Sequence, residues 1–189
     1  MENFDKKCIL FDKICYNTIG ESKVGMNMTN RILSVLVENN YGVVARIAGL
    51  FTRRGFNMNS FAGEETHDPH ISRITISVTE DEGSIEQIQK QVEKLVDIKK
   101  VELLDANNDT IRELALIKVK AQKELFPHIK DLTLQFNVKI IDMDTQVVVF
   151  EICNTKEKID EFMDIVRAYD IIESVRTGVI ALQRGNKHI

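Results

Sequence analysis

No apolar run in this chain approaches the roughly 20 residues needed to span a bilayer. The longest, Val147 to Phe150 with its neighbours, has the length of a strand. Basic residues are not in excess: 25 Lys and Arg stand against 29 Asp and Glu, for a net charge of −4, so the overall charge favours neither phosphate backbones nor anionic membranes. Cysteine is sparse. Cys8, Cys15 and Cys153 have neither zinc-ribbon nor CxxC spacing, and a reducing, cytoplasmic compartment is the simplest setting for them. Gly42, Gly49 and Gly55 fit neither GxGxxG nor GxxxxGK, so no phosphate loop is indicated. No histidine accompanies a serine or cysteine in a nucleophile signature. A helix-turn-helix pattern and a basic stripe are also missing.

What is present is 43% hydrophobic and 29% charged, an ordinary globular composition. Residues 1–28 carry charges throughout and make a poor secretory signal; they are expected to form a loose extension or to reflect an upstream start codon. Arg31 to Glu38 reads as a strand. Val43, Val44, Ile47, Leu50 and Phe51 then fall at helical spacing, with Arg46 and Arg53 facing away and Gly55 placed to end the helix. Asn57 to Glu65 and the alternating Ser72 to Thr79 read as strands. Ser84 and Gln87 have capping-box spacing ahead of a stripe of Ile85, Ile88, Val92, Leu95 and Val96, and Ile98 to Leu104 closes a βαββαβ unit.

The pattern returns after a polar linker. A strand carries Leu114, Leu116, Ile117 and Val119, and a helical stripe runs from Leu125 to Phe136 with Pro127 in its first turn. Val138 to Asp142 and Gln146 to Cys153 flank a turn. Ile159, Phe162, Met163 and Val166 stripe a second helix, and Ile171 to Leu182 ends the chain as a strand. The fold class is α+β, with two tandem ferredoxin-like βαββαβ domains at 29–106 and 112–189 joined by a linker at 107–111.

Several constellations are candidates for chemistry. Glu64 with Glu65, and Asp142 with Asp144, are paired carboxylates, but the first pair points to opposite faces of a strand and the second flanks a turn. His67, Asp68 and His70 are better read as a solvated loop than as metal ligands. Arg54-Gly55-Phe56 with Phe61 imitates an RNA-binding signature, yet it joins a helix to a strand, and the strand that should carry the stacking rings has none. The run NNYGVVARIAGLFTRRGFNMNSF is more promising. Its turn and Gly42 offer the backbone N–H groups of Gly42, Val43 and Val44 at a helix entry, which suits a carboxylate. Asn57 belongs to the opposite end of that helix, so only a dimer pairing equivalent elements brings it to the same ligand. The alternative is structural: Asn40 caps the helix and Gly55 ends it.

At these residues RILSVLVENNYGVVARIAGLFTRRGFNMNSF resembles the ACT domain of the small, regulatory subunits of acetolactate synthase. DPHISRITISV, RELALIKV and RTGVIALQRG resemble later stretches of the same family, in the same order. Tyr41 and Met58 depart from residues common there. The resemblance implies a homodimer through ACT domains, without a catalytic site of its own. It also implies a large catalytic subunit as partner, which carries thiamine diphosphate, Mg²⁺ and FAD. The chain would activate that partner and confer feedback inhibition by a branched-chain amino acid, most often valine. Asn39, Gly42, Val43 and Val44 would hold the effector's α-carboxylate and amino group, and Asn57 and Met58 would come from the other protomer. A stand-alone amino-acid sensor acting on another enzyme or on transcription is the alternative function, and a structural dimer without a ligand is a third.

Overall fold

The computed structural model describes residues 28–189. The expected N-terminal extension, apart from Met28, lies outside them, as do Cys8 and Cys15. The first unit runs β1 (Thr29–Glu38), α1 (Val43–Arg54), β2 (Ser60–Glu65), β3 (Ile71–Glu80), α2 (Glu82–Val92) and β4 (Ile98–Leu104). Its antiparallel sheet has the order β2-β3-β1-β4. Strand alternation sends Leu33, Val35 and Val37 of β1 to one face, where they meet Ile74 and Ile76 of β3 and the buried stripe Val43, Ile47, Leu50 and Phe51 of α1. The other face carries Ser34, Leu36, Arg73 and Thr75 and has no helix of its own unit.

The second unit repeats the topology with β5 (Asp109–Lys120), a 3₁₀ turn (Phe126–His128), α3 (Ile129–Phe136), β6 (Lys139–Met143), β7 (Val147–Asn154), α4 (Lys156–Val166) and β8 (Ile171–Arg176), followed by β9 (Ile180–Gln183). The order β6-β7-β5-β8 matches that of the first sheet. Phe136, Phe150 and Phe162 form a ring cluster at its centre, with centroids 5.4 and 5.5 Å apart around Phe162.

Local chemistry departs from the sequence-based expectations at five places. Asp81, not Ser84, caps α2: its carboxylate accepts from the Ser84 N–H at 3.0 Å and from the Ser84 hydroxyl at 2.6 Å. A capping carboxylate one residue before the helix satisfies the free N–H groups better than a residue already inside it. The α2 stripe ends at Val92, and Val96 is 97% exposed because the chain has left the helix before reaching it. Strand β2 starts at Ser60, so Asn57 and Met58 belong to the turn before it. The final strand is two: Gly178, at φ +77°, breaks it between Arg176 and Ile180. Of the residues expected as linker, 109–111 are already in β5, and a turn held by the Asp105 carboxylate joins the two units.

That early start of β5 matters for the architecture. Its first residues pair with β9, while Ala115 to Val119 pair with β7 and β8. The β5–β9 ribbon leans on the helix-free face of the first sheet, where Ile32 and Leu104 pack with Val179 and Ala181. Gly178 sits against the first unit: a Cβ there would lie 3.1 Å from that of Ser60, on top of the strain of a positive φ. Nearby, Arg176 donates two bonds of 2.8 Å to the buried Glu113 carboxylate and one of 2.5 Å to Asp160. Burial opposes the Arg176 charge, but these bonds outweigh it and raise its pKa.

Candidate functional site

β1 delivers the chain to the entry of α1 through Asn39-Asn40-Tyr41-Gly42. Asn39 is pinned from both sides of the backbone. Its N–H donates to the His70 carbonyl at 2.8 Å, and its side-chain Nδ2 donates to Glu65 Oε1 at 2.9 Å and to the Pro69 carbonyl at 3.1 Å. With both side-chain donor bonds spent within the chain, the Asn39 Oδ1 is the polar atom left to offer a ligand. Asn40 does not cap the helix; its Nδ2 donates to Glu38 at 3.1 Å and Asp97 at 3.4 Å. Gly42 is the N-cap, left-handed at φ 83° and ψ 0°, with no side chain to occupy the first-turn amides.

The first turn of α1 contains no acidic residue. The Val43 N–H reaches back to the Asn40 carbonyl only at 3.4 Å, a long bond. The helix dipole therefore ends on N–H groups that suit an anion. Arg46 faces away from the core, as its spacing predicts, and lies over this entry. Its guanidinium pairs with Asp97 at 2.6 Å and donates to the Tyr41 carbonyl at 3.4 Å, and its Nη1 would be 3.3 Å from a Cβ on Gly42. The signal was in the spacing, since residues four apart stack on one helix face. Val43 is buried, whereas Val44 is 53% exposed and Tyr41 fully so.

Asn57 and Met58 are not in this place. α1 has 12 residues, which separates its two ends by about 18 Å. Gly55 ends the helix in the left-handed conformation, Asn57 is exposed beyond it, and Met58 packs against the first core. One chain thus assembles Asn39, Gly42, Val43 and Val44 at one end of α1, and Asn57 and Met58 at the other.

The remaining candidates have structural duties. Glu64 accepts from the Glu65 N–H at 3.2 Å, and Glu65 holds Asn39. The Asp144 carboxylate accepts from the Gln146 and Val147 N–H groups, which lowers its pKa. Asp68 accepts from the His70 N–H at 2.9 Å in a turn also held by the Thr66 hydroxyl. Among the described residues no group of three or more His, Cys, Asp and Glu side chains could hold a metal ion, and no helix is long and apolar enough to cross a membrane.

Two tandem ferredoxin-like units, the first helix opening on a left-handed glycine, have the topology of an ACT-containing chain. Residues 33–100 match the "AHAS small subunit-like ACT domain" and residues 112–185 match "Small subunit of acetolactate synthase". The chain belongs to the acetolactate synthase small-subunit family. It is 38% identical to the acetolactate synthase small subunit of Buchnera aphidicola, over 82% of this chain and 99% of that one. The isozyme 3 small subunit of Escherichia coli is 39% identical over 83% of this chain and 97% of its own. The crystal structure of the small subunit from Thermotoga maritima superposes with a TM-score of 0.75 at 37% identity, covering 84% of this chain and 99% of that one.

Proposed function

We propose that this chain is the regulatory subunit of an acetolactate synthase, acting in branched-chain amino acid biosynthesis through a large catalytic subunit. Catalysis, with thiamine diphosphate, Mg²⁺ and FAD, resides in that partner in the cytoplasm. This chain raises its activity and makes it sensitive to a branched-chain amino acid, valine by the family pattern. The observation that carries the reading is the entry to α1: a left-handed Gly42 without a Cβ, first-turn amides with no acid beside them, and Asn39 held with its Oδ1 to spare. The amides of Val43 and Val44 take the effector's carboxylate, and Asn39 Oδ1 takes its ammonium group. Asn57 and Met58 reach the same effector from a second copy in an ACT homodimer, which is the arrangement that overcomes their separation along α1.

Effector binding then favours one arrangement of the protomers over another. Useful feedback requires a coupling of about 1–3 kcal/mol between effector site and catalytic state. Gly42→Asp introduces a carboxylate where the effector's carboxylate belongs, at a φ that aspartate tolerates better than most residues. Titration calorimetry with valine, isoleucine and leucine is expected to show binding to the wild type and none to Gly42→Asp. The variant should still co-purify with acetolactate synthase activity and stimulate it. Unchanged feedback inhibition in Gly42→Asp would remove this site from the mechanism.

A further inference from the structure

A second place in the molecule has the makings of a ligand site, well away from Gly42. The helix-free face of the first sheet and the β5–β9 ribbon face each other across an open cavity of about 980 Å³, lined by Leu36, Arg73 and Thr75 on one side and Arg112, Ile180 and Leu182 on the other. Glu64, Glu65 and Asp68 also line it, so an anion is favoured only at the Arg73 end that opens to the smaller chamber. A smaller chamber of about 210 Å³ adjoins it and shares Arg73 and Leu182. The lining of the smaller chamber includes Lys187, His188 and Ile189, and no aspartate or glutamate side chain.

Two polar groups facing these spaces find no partner among the described residues. The Ser34 hydroxyl is buried, with the residue 1% exposed, and makes no hydrogen bond. A buried hydroxyl without a partner carries an uncompensated desolvation cost. Arg73 is half-buried near the start of β3, and burial pulls its guanidinium below its usual pKa. Among the described residues, no hydrogen bond or ion pair engages that guanidinium. Glu64 lies opposite Arg73 across the β2–β3 ladder but turns its carboxylate to the Glu65 N–H instead. On the far wall, the Arg112 guanidinium donates to the Ile111 carbonyl at 2.7 Å. Cations in this setting are normally matched by an anion.

We infer that the seam between the two units binds a small aliphatic carboxylate, its charged end on Arg73 and the Ser34 hydroxyl and its apolar body against Leu36, Ile180 and Leu182. The occupant touches both units at once. It would therefore bias how the β5–β9 ribbon sits on the first sheet, independently of an effector at Gly42. Arg73 lies in the DPHISRITISV stretch, whose role the effector site leaves unexplained.

The test uses the full chain with 2-methylbutyrate and its neutral amide, 2-methylbutyramide, followed by calorimetry and by backbone amide NMR. The acid is expected to bind saturably and to perturb Ser34, Thr75 and Leu182. The amide should bind about 10- to 100-fold more weakly, the size of a lost charge-assisted pair. Arg73→Gln should lose the acid to the same degree, with its folded spectrum confirming the fold. Leu182→Trp, which fills the cavity from an exposed position, should block the acid while leaving Arg73 in place. Gly42→Asp should bind the acid as the wild type does, which separates this site from the effector site. Absent binding, equal binding of acid and amide, binding that survives Arg73→Gln, or perturbation confined to residues 39–44 would each overturn the inference. So would loss of catalytic-subunit association in Arg73→Gln without carboxylate binding, since the arginine would then be a protein contact.

Discussion

The two βαββαβ units enter their first helices by different routes. In the first, β1 ends at Glu38 and a short polar turn brings Gly42, in a left-handed conformation, directly to α1. In the second, the chain leaves β5 at Lys120, buries Leu125 completely and passes through a 3₁₀ turn containing Pro127 before α3 begins. The first entry presents open backbone amides and no side chain; the second is filled by an apolar plug and an extra turn of chain. The same topology can thus offer a ligand cradle or close it, and the choice rests on a handful of residues between strand and helix. The cores differ too. The second unit is built around three packed phenylalanines, while the first buries Phe51 among aliphatic residues with the partly buried Phe56 packed against it, centroids 6.3 Å apart.

The largest test of this contrast is Phe162→Ala. It removes the ring that touches both Phe136 and Phe150 and should cost about 3–5 kcal/mol, measured by urea unfolding, with hydrogen exchange rising first in β5 to β8. Effector binding at Gly42 should outlast that loss if the units are energetically separable. Next is Glu113→Ala, which leaves Arg176 with Asp160 alone and should cost about 3 kcal/mol; Glu113→Gln, keeping the shape, should cost less. Gly178→Ala is expected to cost about 1–3 kcal/mol, because the new Cβ meets Ser60 at a backbone conformation disfavoured for alanine. Its signature would be loosened packing between β9 and the first sheet, seen as faster exchange at Ala181 and Leu182.

The smallest effect concerns the turn between the units. Asp105 accepts from the Asn108 side chain and from the Asn107 and Asn108 backbone N–H groups, which holds its carboxyl below the usual aspartate range. A depressed folded value means that its stabilisation is present above the ordinary aspartate pKa of about 4 and is lost as pH falls through the folded value. Asp105→Asn should therefore flatten part of the acid limb of the stability curve, read from urea midpoints at decreasing pH, and leave neutral-pH effector binding unchanged.

Much of the fold is legible in the sequence because period follows burial. Val43, Ile47, Leu50 and Phe51 recur at helical spacing and are buried; Leu33, Val35 and Val37 alternate and line one face. Short-range competition was harder to read. Asp81 and Ser84 both suit a cap, and only the backbone at Asp81, extended at ψ 156°, decides between them. At the candidate site, Gly42 and its neighbouring amides could be picked out from residue type alone, since a glycine at a helix entry has few reasons to be there. The partners that hold Asn39 could not. Glu65, Pro69 and His70 lie 26 to 31 positions further on, a distance bridged by β2 and β3.

By itself, the sequence determined the tandem α+β units, their helix faces and the glycine at the entry to α1, because hydrophobic period and backbone freedom are local properties. The tertiary structure alone decided that Glu65, Pro69 and His70 hold Asn39 and that Asp97 holds Arg46 over the entry to α1. It alone also decided that β5 belongs to both units and that Arg73 and Ser34 face a seam without partners among the described residues. Each of these depends on where distant segments pack, and residue spacing carries no record of that.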